Sequence, residues 1–245
     1  MKRIMLVVAY DGTDFHGWQY QPGCRTVEGE LNEKISRLIK EEVSVIGCSR
    51  TDSGVHALGN VAVFDTKSTI PADRYASALN TMLSADVKIA SSQEVDTTFH
   101  PRRCVSKKRY EYTLYQAPQP NPLKNRYEYY VNWKLDIAKM RCAAKYLIGE
   151  HDFKSFASVH TQAESTIRTI YDIQIIEKDE SLVIAVEGNG FLYNMVRIIA
   201  GTLIEVGKGR WEPKDVHNML ESTDRTVAGP TAPACGLKLC YIQFE

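Results

Sequence analysis

The stretch GCSRTDSGVHALGN, Gly47 to Asn60, gathers an arginine, an aspartate, a histidine and three glycines between two β-branched runs, VSVI and VAVF, that read as strands. Asp52 and Gly54 alone are ordinary turn chemistry: the carboxylate accepts from backbone amides just beyond it, and glycine takes a positive φ. The dozen or so residues between Cys48 and Asn60 exceed what reversal of the chain needs, and their composition is too ordered for disorder; loops of about this length are where function concentrates. The chemistry on offer is that of a carboxylate beside a guanidinium. An aspartate in a cleft protonates as it loses water unless a nearby arginine holds it ionised, and so held it serves as nucleophile or base. Arg50, two residues away, shares a strand face with Asp52 without having to touch it. Arg197, inside the mostly apolar stretch NMVRIIAGT and on a helix face with Tyr193, Asn194 and Gly201, is the better-aimed partner: a charge so placed is either solvated or set against an acid.

Other chemistries fit less well. Asp52, His56 and Asp65 offer metal-ligand types, but Asp-x-x-x-His on a glycine loop has no familiar ligand spacing. Ser53 lacks the Gly-x-Ser-x-Gly elbow of a hydrolase. Gly188 and Gly190 precede a helix, yet two glycines without a third, or a lysine, make a weak phosphate-binding signature. A second feature is stronger. From Arg102 to Arg109, RRCVSKKR carries five positive charges and no negative one, and it runs into YEYTLY with Tyr110, Tyr112 and Tyr115. Basic residues interleaved with aromatics suit a polyanion whose bases stack; the plain alternative is a solvated strand edge guarded by lysines.

The elements that must position these residues punctuate clearly. A strand over Arg3 to Ala9 leads through a Gly/Gln/Pro loop to a helix from Val27 to Lys40, with Val27, Leu31, Ile35, Leu38 and Ile39 on one face and Glu28 and Glu30 in its first turn. The strands VSVI and VAVF flank the motif. Pro71 opens a second helix with Ala72, Tyr75, Leu79 and Met82 inward, and a strand over Val87 to Val95 completes a β-α-β-β-α-β, ferredoxin-like unit. The second half begins with a strand from Lys107 to Tyr115 and a Pro-rich loop, then a strand over Tyr127 to Asn132 and a helix from about Ile137 that ends at Gly149. A hairpin of IRTIYDIQII and LVIAV follows, then a helix from Leu192 to Val206, a shorter helix after Pro213 and a last strand, GLKLCYIQF. The expected fold is α+β: two ferredoxin-like-type units, residues 1–104 and 105–245, joined into an extended, mainly antiparallel sheet with helices packed on it and an active-site cleft at the junction.

Composition narrows the class. The 245 residues are 44% hydrophobic and 24% charged, enough to bury a core without metals or disulfides. Thirty basic and thirty acidic side chains cancel, so a nucleic-acid partner must be held by a local basic surface. The six cysteines are scattered with no Cys-x-x-Cys spacing, which favours reduced thiols and a cytoplasmic protein. The apolar run near the start is too short for a signal segment, and no run reaches membrane-spanning length.

SRTDSGVHALG resembles the Arg-Thr-Asp-x-Gly-Val-His-Ala signature of the TruA family of tRNA pseudouridine synthases. AYDGTDFHGWQYQP, FHPRR, KKRYEYTLY, GEHDFKSFAS, NGFLYNMVRIIAGTLIEVG and the terminal GLKLCYI resemble further family segments in the same order, across effectively the whole chain. The resemblance implies an enzyme that isomerises uridine to pseudouridine in the anticodon arm of tRNA, at positions 38 to 40, with no cofactor and no metal. It implies Asp52 as nucleophile, Tyr110 stacked on the flipped uracil, Arg197 paired with Asp52, Arg50 displacing the target nucleotide and Leu237 lining the uracil pocket. The basic stretch of Arg102, Lys107, Lys108 and Arg109 would grip phosphates, and the working form would be a homodimer whose two subunits touch one tRNA. Cys48, Ser84 and Pro101 depart from the family's commoner residues. The rival from a different class is a catalytically silent tRNA-binding protein or RNA chaperone on the same fold; Asp52, Tyr110 and Arg197 together argue against it.

Overall fold

The computed structural model describes residues 1–159 and 163–245. The fold is mixed α and β with mostly antiparallel strand pairing, and the chain divides into two compact units, Met1–Val105 with Lys238–Glu245, and Ser106–Leu237.

In the first unit β1 (Lys2–Tyr10), α1 (Val27–Ile39), β2 (Ile46–Gly47), β3 (His56–Thr66), α2 (Tyr75–Asn80) and β4 (Val87–Val95) follow in the split β-α-β order. β1 lies between β4 and β3, antiparallel to both, and β2 pairs with β3. Alternation along β1 sends Ile4, Leu6, Val8 and Tyr10 into the core, where Val27, Leu31 and Ile35 of α1 and Tyr75 and Leu79 of α2 meet them. Thr26 caps α1 by accepting from the Gly29 amide. Two expectations need adjustment. VSVI is not a strand before Ile46: the Val43 and Val45 amides take Ser36 Oγ (3.0 Å) and Asn32 Oδ1 (2.8 Å) of α1 instead of a ladder. The second helix begins as a 3-10 turn over Ala72–Arg74, so its α-helical part is short.

In the second unit the strands are β5 (Ser106–Gln116), β6 (Tyr129–Val131), β7 (Gly149–Asp152), β8 (Ile167–Lys178) and β9 (Ser181–Gly188), and the helices are α3 (Ile137–Ala144), α4 (Met195–Gly207) and α5 (Asp215–Ser222). The sheet runs β5-β9-β8-β7, antiparallel throughout, with β6 added parallel to β5. Tyr110, Tyr112 and Leu114 of β5 and Ile184 and Val186 of β9 face the helices, and α4 is buried over nearly its whole length. Here too the chain departs from expectation. The helix from Ile137 ends at Ala144, and Gly149, at φ 114°, opens the unforeseen strand β7. Tyr127 and Glu128 close a turn on the Lys124 carbonyl, which delays β6 to Tyr129. The last strand, β10 (Leu237–Phe244), pairs parallel with β3 through Lys238 and Leu239 opposite His56 and Ala57, so the end of the chain lies in the first unit.

Candidate active-site residues

Asp52 sits on the loop from Cys48 to Val55, because β3 already begins at His56. The loop backbone is held from two sides. From the first strand and the segment after it, the Trp18 amide donates to the Thr51 carbonyl (3.0 Å), and the Phe15 carbonyl accepts from the Gly54 amide (3.3 Å) and the Ser53 hydroxyl (3.2 Å). The buried Tyr10 hydroxyl lies 2.7 Å from Thr51 Oγ1. From β3, the Asn60 amide group donates to the Ser49 carbonyl (2.9 Å) while its oxygen accepts from the Ser49 amide (3.3 Å). Within the loop, the Val55 amide closes on the Asp52 carbonyl (3.1 Å) around Gly54 at φ 77°, a conformation that excludes most side chains. The bonds fasten residues 49, 51, 53 and 54 and hold the half-buried Asp52 in their midst.

The segment DGTDFHGW is pressed against this loop, and its glycines make that possible. A Cβ on Gly12 would stand 2.0 Å from the Val55 carbonyl oxygen, and one on Gly17, itself at φ 87°, 2.7 Å from the Thr51 carbonyl oxygen. The Gly12 amide donates to His56 Nδ1 (3.1 Å), so His56 ties strand to strap. Asp65 is engaged by Arg3 through two 2.7 Å bonds. Neither residue joins a metal-binding group, and among the described residues no cluster of three His, Cys, Asp or Glu is placed to hold an ion.

Behind the strap, the Arg25 guanidinium lies 4.0 Å from the Phe15 ring centroid and grips both oxygens of Asp86 (2.7 and 2.8 Å) and one of Glu30 (3.1 Å). Arg25 holds the Asp86 carboxyl down at about 2. The Ser84 hydroxyl joins this network, within hydrogen-bond distance of both the Glu30 and the Asp86 carboxylates.

The exposed Arg50 has Arg102 beside it. The Arg102 Nε donates to the Gly47 carbonyl (2.7 Å), and its pKa is lowered by burial and then by the Arg50 charge. Cys48 donates its thiol to the Pro101 carbonyl (2.9 Å), so the FHPR segment packs on the motif loop. The Glu28 charge offsets part of the repulsion between Arg50 and Arg102.

In the second unit Tyr110 is buried, opposite Val186, with its ring edge-on to Phe191 at 5.2 Å between centroids. Tyr112, two residues on, donates its hydroxyl to the Pro233 carbonyl (2.9 Å), and its pKa is raised by burial. Arg197, in the first turn of α4, donates from Nε to the Ala232 carbonyl (2.8 Å) and from Nη1 to Asn194 Oδ1 (2.7 Å). Asn194 adopts φ 61° and donates onward to Ser158 Oγ (2.8 Å), which explains why α4 starts at Met195 and not at Leu192. The strap that carries Ala232 lies tight on α4: a Cβ on Gly201 would stand 1.9 Å from the Pro230 carbonyl oxygen. Leu237 is buried at the start of β10.

The basic stretch divides by strand alternation. Lys107 and Arg109 point to one face, where both meet Glu187 and Arg109 also meets Glu111 (3.1 Å). Burial alone would lower the Arg109 pKa, but its hydrogen bonds to Glu187 and Glu111 raise it. Lys108 points to the Tyr110 face. Sequence reasoning singles out Asp52, Tyr110 and Arg197 as candidates, but not the residues that hold their surroundings: Gly12, Phe15 and Arg25 around the motif loop, and Asn194 beside Arg197. The legible signals were the close spacing of glycines in DGTDFHGW and an asparagine just ahead of an apolar helix.

A family model described as tRNA pseudouridine synthase matches residues 6–102 and 143–245. The tRNA pseudouridine synthase A of Acetivibrio thermocellus is 46% identical over 244 residues, and that of Ruminiclostridium cellulolyticum 44% over 245, with 100% of both chains covered in each case. That of Bacillus subtilis is 43% identical, covering 99% of both chains. With the RTDSGVHA loop, the KRYEY strand and the NMVR helix all in place, the chain belongs to the tRNA pseudouridine synthase family.

Proposed function

We propose that the protein isomerises uridine to pseudouridine in the anticodon stem-loop of tRNA, at positions 38, 39 or 40. The observation that carries this reading is the Cys48–Val55 loop, whose fixed backbone holds Asp52 within the family's signature. The reaction breaks the N1–C1′ bond, turns the uracil, joins C5 to C1′, and moves one proton from C5 to solvent while N1 gains one. Atoms and electrons balance without an oxidant or an energy donor. Asp52 is the acting carboxylate: it holds the separated fragments by attack or removes the proton. Arg197, fixed by Ala232 and Asn194, serves as its counter-charge, keeping it ionised.

The target base must leave its stack, at a cost of a few kcal/mol, and an aromatic platform offsets part of that cost. Tyr110, held edge-on by Phe191, supplies the platform, Leu237 the apolar wall and Arg50 the charge that helps displace the nucleotide. Lys108 supplies charge for the tRNA backbone without an acid partner among the described residues; Arg102 adds charge partly offset by Glu28, and Lys107 and Arg109 add charge shared with Glu187. The proposed working form is a cytoplasmic homodimer with both subunits touching one tRNA. No helix among the described residues is long and apolar enough to cross a membrane.

The test is pseudouridine mapping in an unmodified transcript with uridines at 38, 39 and 40, treated with dialysed enzyme plus chelator. New pseudouridine at one or more of these positions is expected. A tightly bound but unmodified transcript would overturn the enzymatic reading in favour of a silent RNA-binding protein, and modification confined to other positions would overturn the site assignment.

A further inference from the structure

The face of the second sheet that carries Tyr110 carries two further cations. Lys108 is two residues before Tyr110 on β5 and lies opposite Gly188 of β9, which lies opposite Ile170 of β8; Arg168 is two residues before Ile170. Directly paired residues and residues two apart share a face, so Tyr110, Lys108, Gly188, Ile170 and Arg168 form one surface. Strand spacing and rise put the Cα atoms of Tyr110 and Arg168 roughly 16 Å apart, within two nucleotide steps once the arginine's reach is counted.

Arg168 is an unusual cation. It is half-buried, and loss of water lowers its pKa. Its Nη1 donates to the carbonyls of Ser165 (2.9 Å) and Ile167 (2.6 Å), and among the described residues no carboxylate lies within ion-pairing distance of it. Its stem runs beside Gly190, where a Cβ would lie 3.7 Å from Nε. The Asn189–Gly190 turn is clipped to β8 in both directions, Asn189 N to the Thr169 carbonyl and Thr169 N to Asn189 Oδ1, each at 3.0 Å. Gly190 leads directly into Phe191, the ring that holds Tyr110. A guanidinium stripped of water, without an acid and built into the loop that supports the stacking tyrosine, is suited to an anion brought by the substrate.

We infer that Arg168, with Lys108, forms a phosphate-binding rim on the Tyr110 face and grips the RNA backbone flanking the flipped nucleotide. This rests on the proposed tRNA substrate. Lys107 and Arg109, on the opposite face, share their charge with Glu187 and do not belong to the rim.

The test compares Arg168→Gln and Lys108→Gln with Lys139→Gln, which removes from the same unit a charge on α3 that is paired with Glu212. The readouts are dissociation constants for a tRNA transcript across a salt series and single-turnover pseudouridine formation at saturating tRNA. Arg168→Gln and Lys108→Gln are expected to weaken binding about 10-fold and to make the slope of log affinity against log salt shallower by about 0.7 to 0.9, while Lys139→Gln changes neither. Because Arg168 also bonds two carbonyls, thermal unfolding accompanies each assay, and Lys108→Gln, whose side chain holds no loop, carries the test if Arg168→Gln is unfolded. An unchanged salt slope in folded variants would overturn the inference while leaving the synthase reading intact. Wild-type enzyme that neither binds nor modifies the transcript would instead remove the reading on which it rests.

Discussion

Replacing Gly12 by alanine probes the link between strap and motif loop directly. The added Cβ would lie 2.0 Å from the Val55 carbonyl oxygen and 3.0 Å from the Val55 nitrogen, both backbone atoms that no rotamer change can move aside. Restoring an ordinary separation of about 3.2 Å requires a relative shift of about 1.2 Å between the strap and the peptide three residues beyond Asp52. Overpacking of this kind costs about 1–3 kcal/mol of stability. A displacement near 1 Å at a reacting group costs on the order of 100-fold in rate, because the geometry for attack is lost. The phosphate-gripping side chains lie on other segments, so tRNA affinity should change by less than about 3-fold. Tritium release from tRNA labelled at uracil C5, under single-turnover conditions, reads the chemistry; equilibrium binding reads affinity, and thermal unfolding shows what fraction is folded. A folded Gly12→Ala protein with the wild-type rate would refute the claim that the DGTDFHGW strap sets the position of Asp52. A loss confined to binding would refute it equally.

Two further outcomes follow from the same geometry. Asn194→Gly keeps the positive φ but removes the Arg197 Nη1 bond and the Ser158 bond, so the single-turnover rate should fall about 10-fold with tRNA affinity unchanged; a parallel fall in affinity would show that Asn194 acts on binding. Arg25 lowers the Asp86 pKa from 3.8 to about 2, so the stability from this pair is complete above about pH 4 and is lost as pH falls toward about 2. Arg25→Gln should therefore unfold at a higher pH than wild type on acid titration followed by circular dichroism, with the gap between the two proteins closing below about pH 2; identical acid transitions would contradict the clamp.

How much was legible depended on whether a residue's role was set locally. The helix Val27–Ile39 was readable because its apolar spacing, its threonine cap and its first-turn acids all act within one segment. β7 was not, because GEHD has no apolar alternation and becomes a strand only through backbone pairing with β8. VSVI misled because its valines do go inside, while side chains of the preceding helix, Ser36 and Asn32, take their amides. For the site, Asp52, Tyr110 and Arg197 stood out by residue type and by resemblance to the family's motifs. Their support did not: no pattern says that Phe15 caps the motif loop with its carbonyl, or that Glu187 takes up two charges of a basic run. Those facts belong to contacts between segments and emerge only once the strands are in register.

The central claim is that the Asp52 carboxylate performs the chemistry, and Asp52→Asn tests it most directly, since the side chain keeps its size while the charge and one acceptor oxygen give way to a neutral amide NH2. Pseudouridine formation by wild type and by Asp52→Asn would be followed on one tRNA transcript under single-turnover conditions, with binding measured alongside. The expected result is tRNA affinity within about 3-fold of wild type and a rate lower by at least about 1,000-fold. Pseudouridine formed by Asp52→Asn at a rate near wild type would contradict the account.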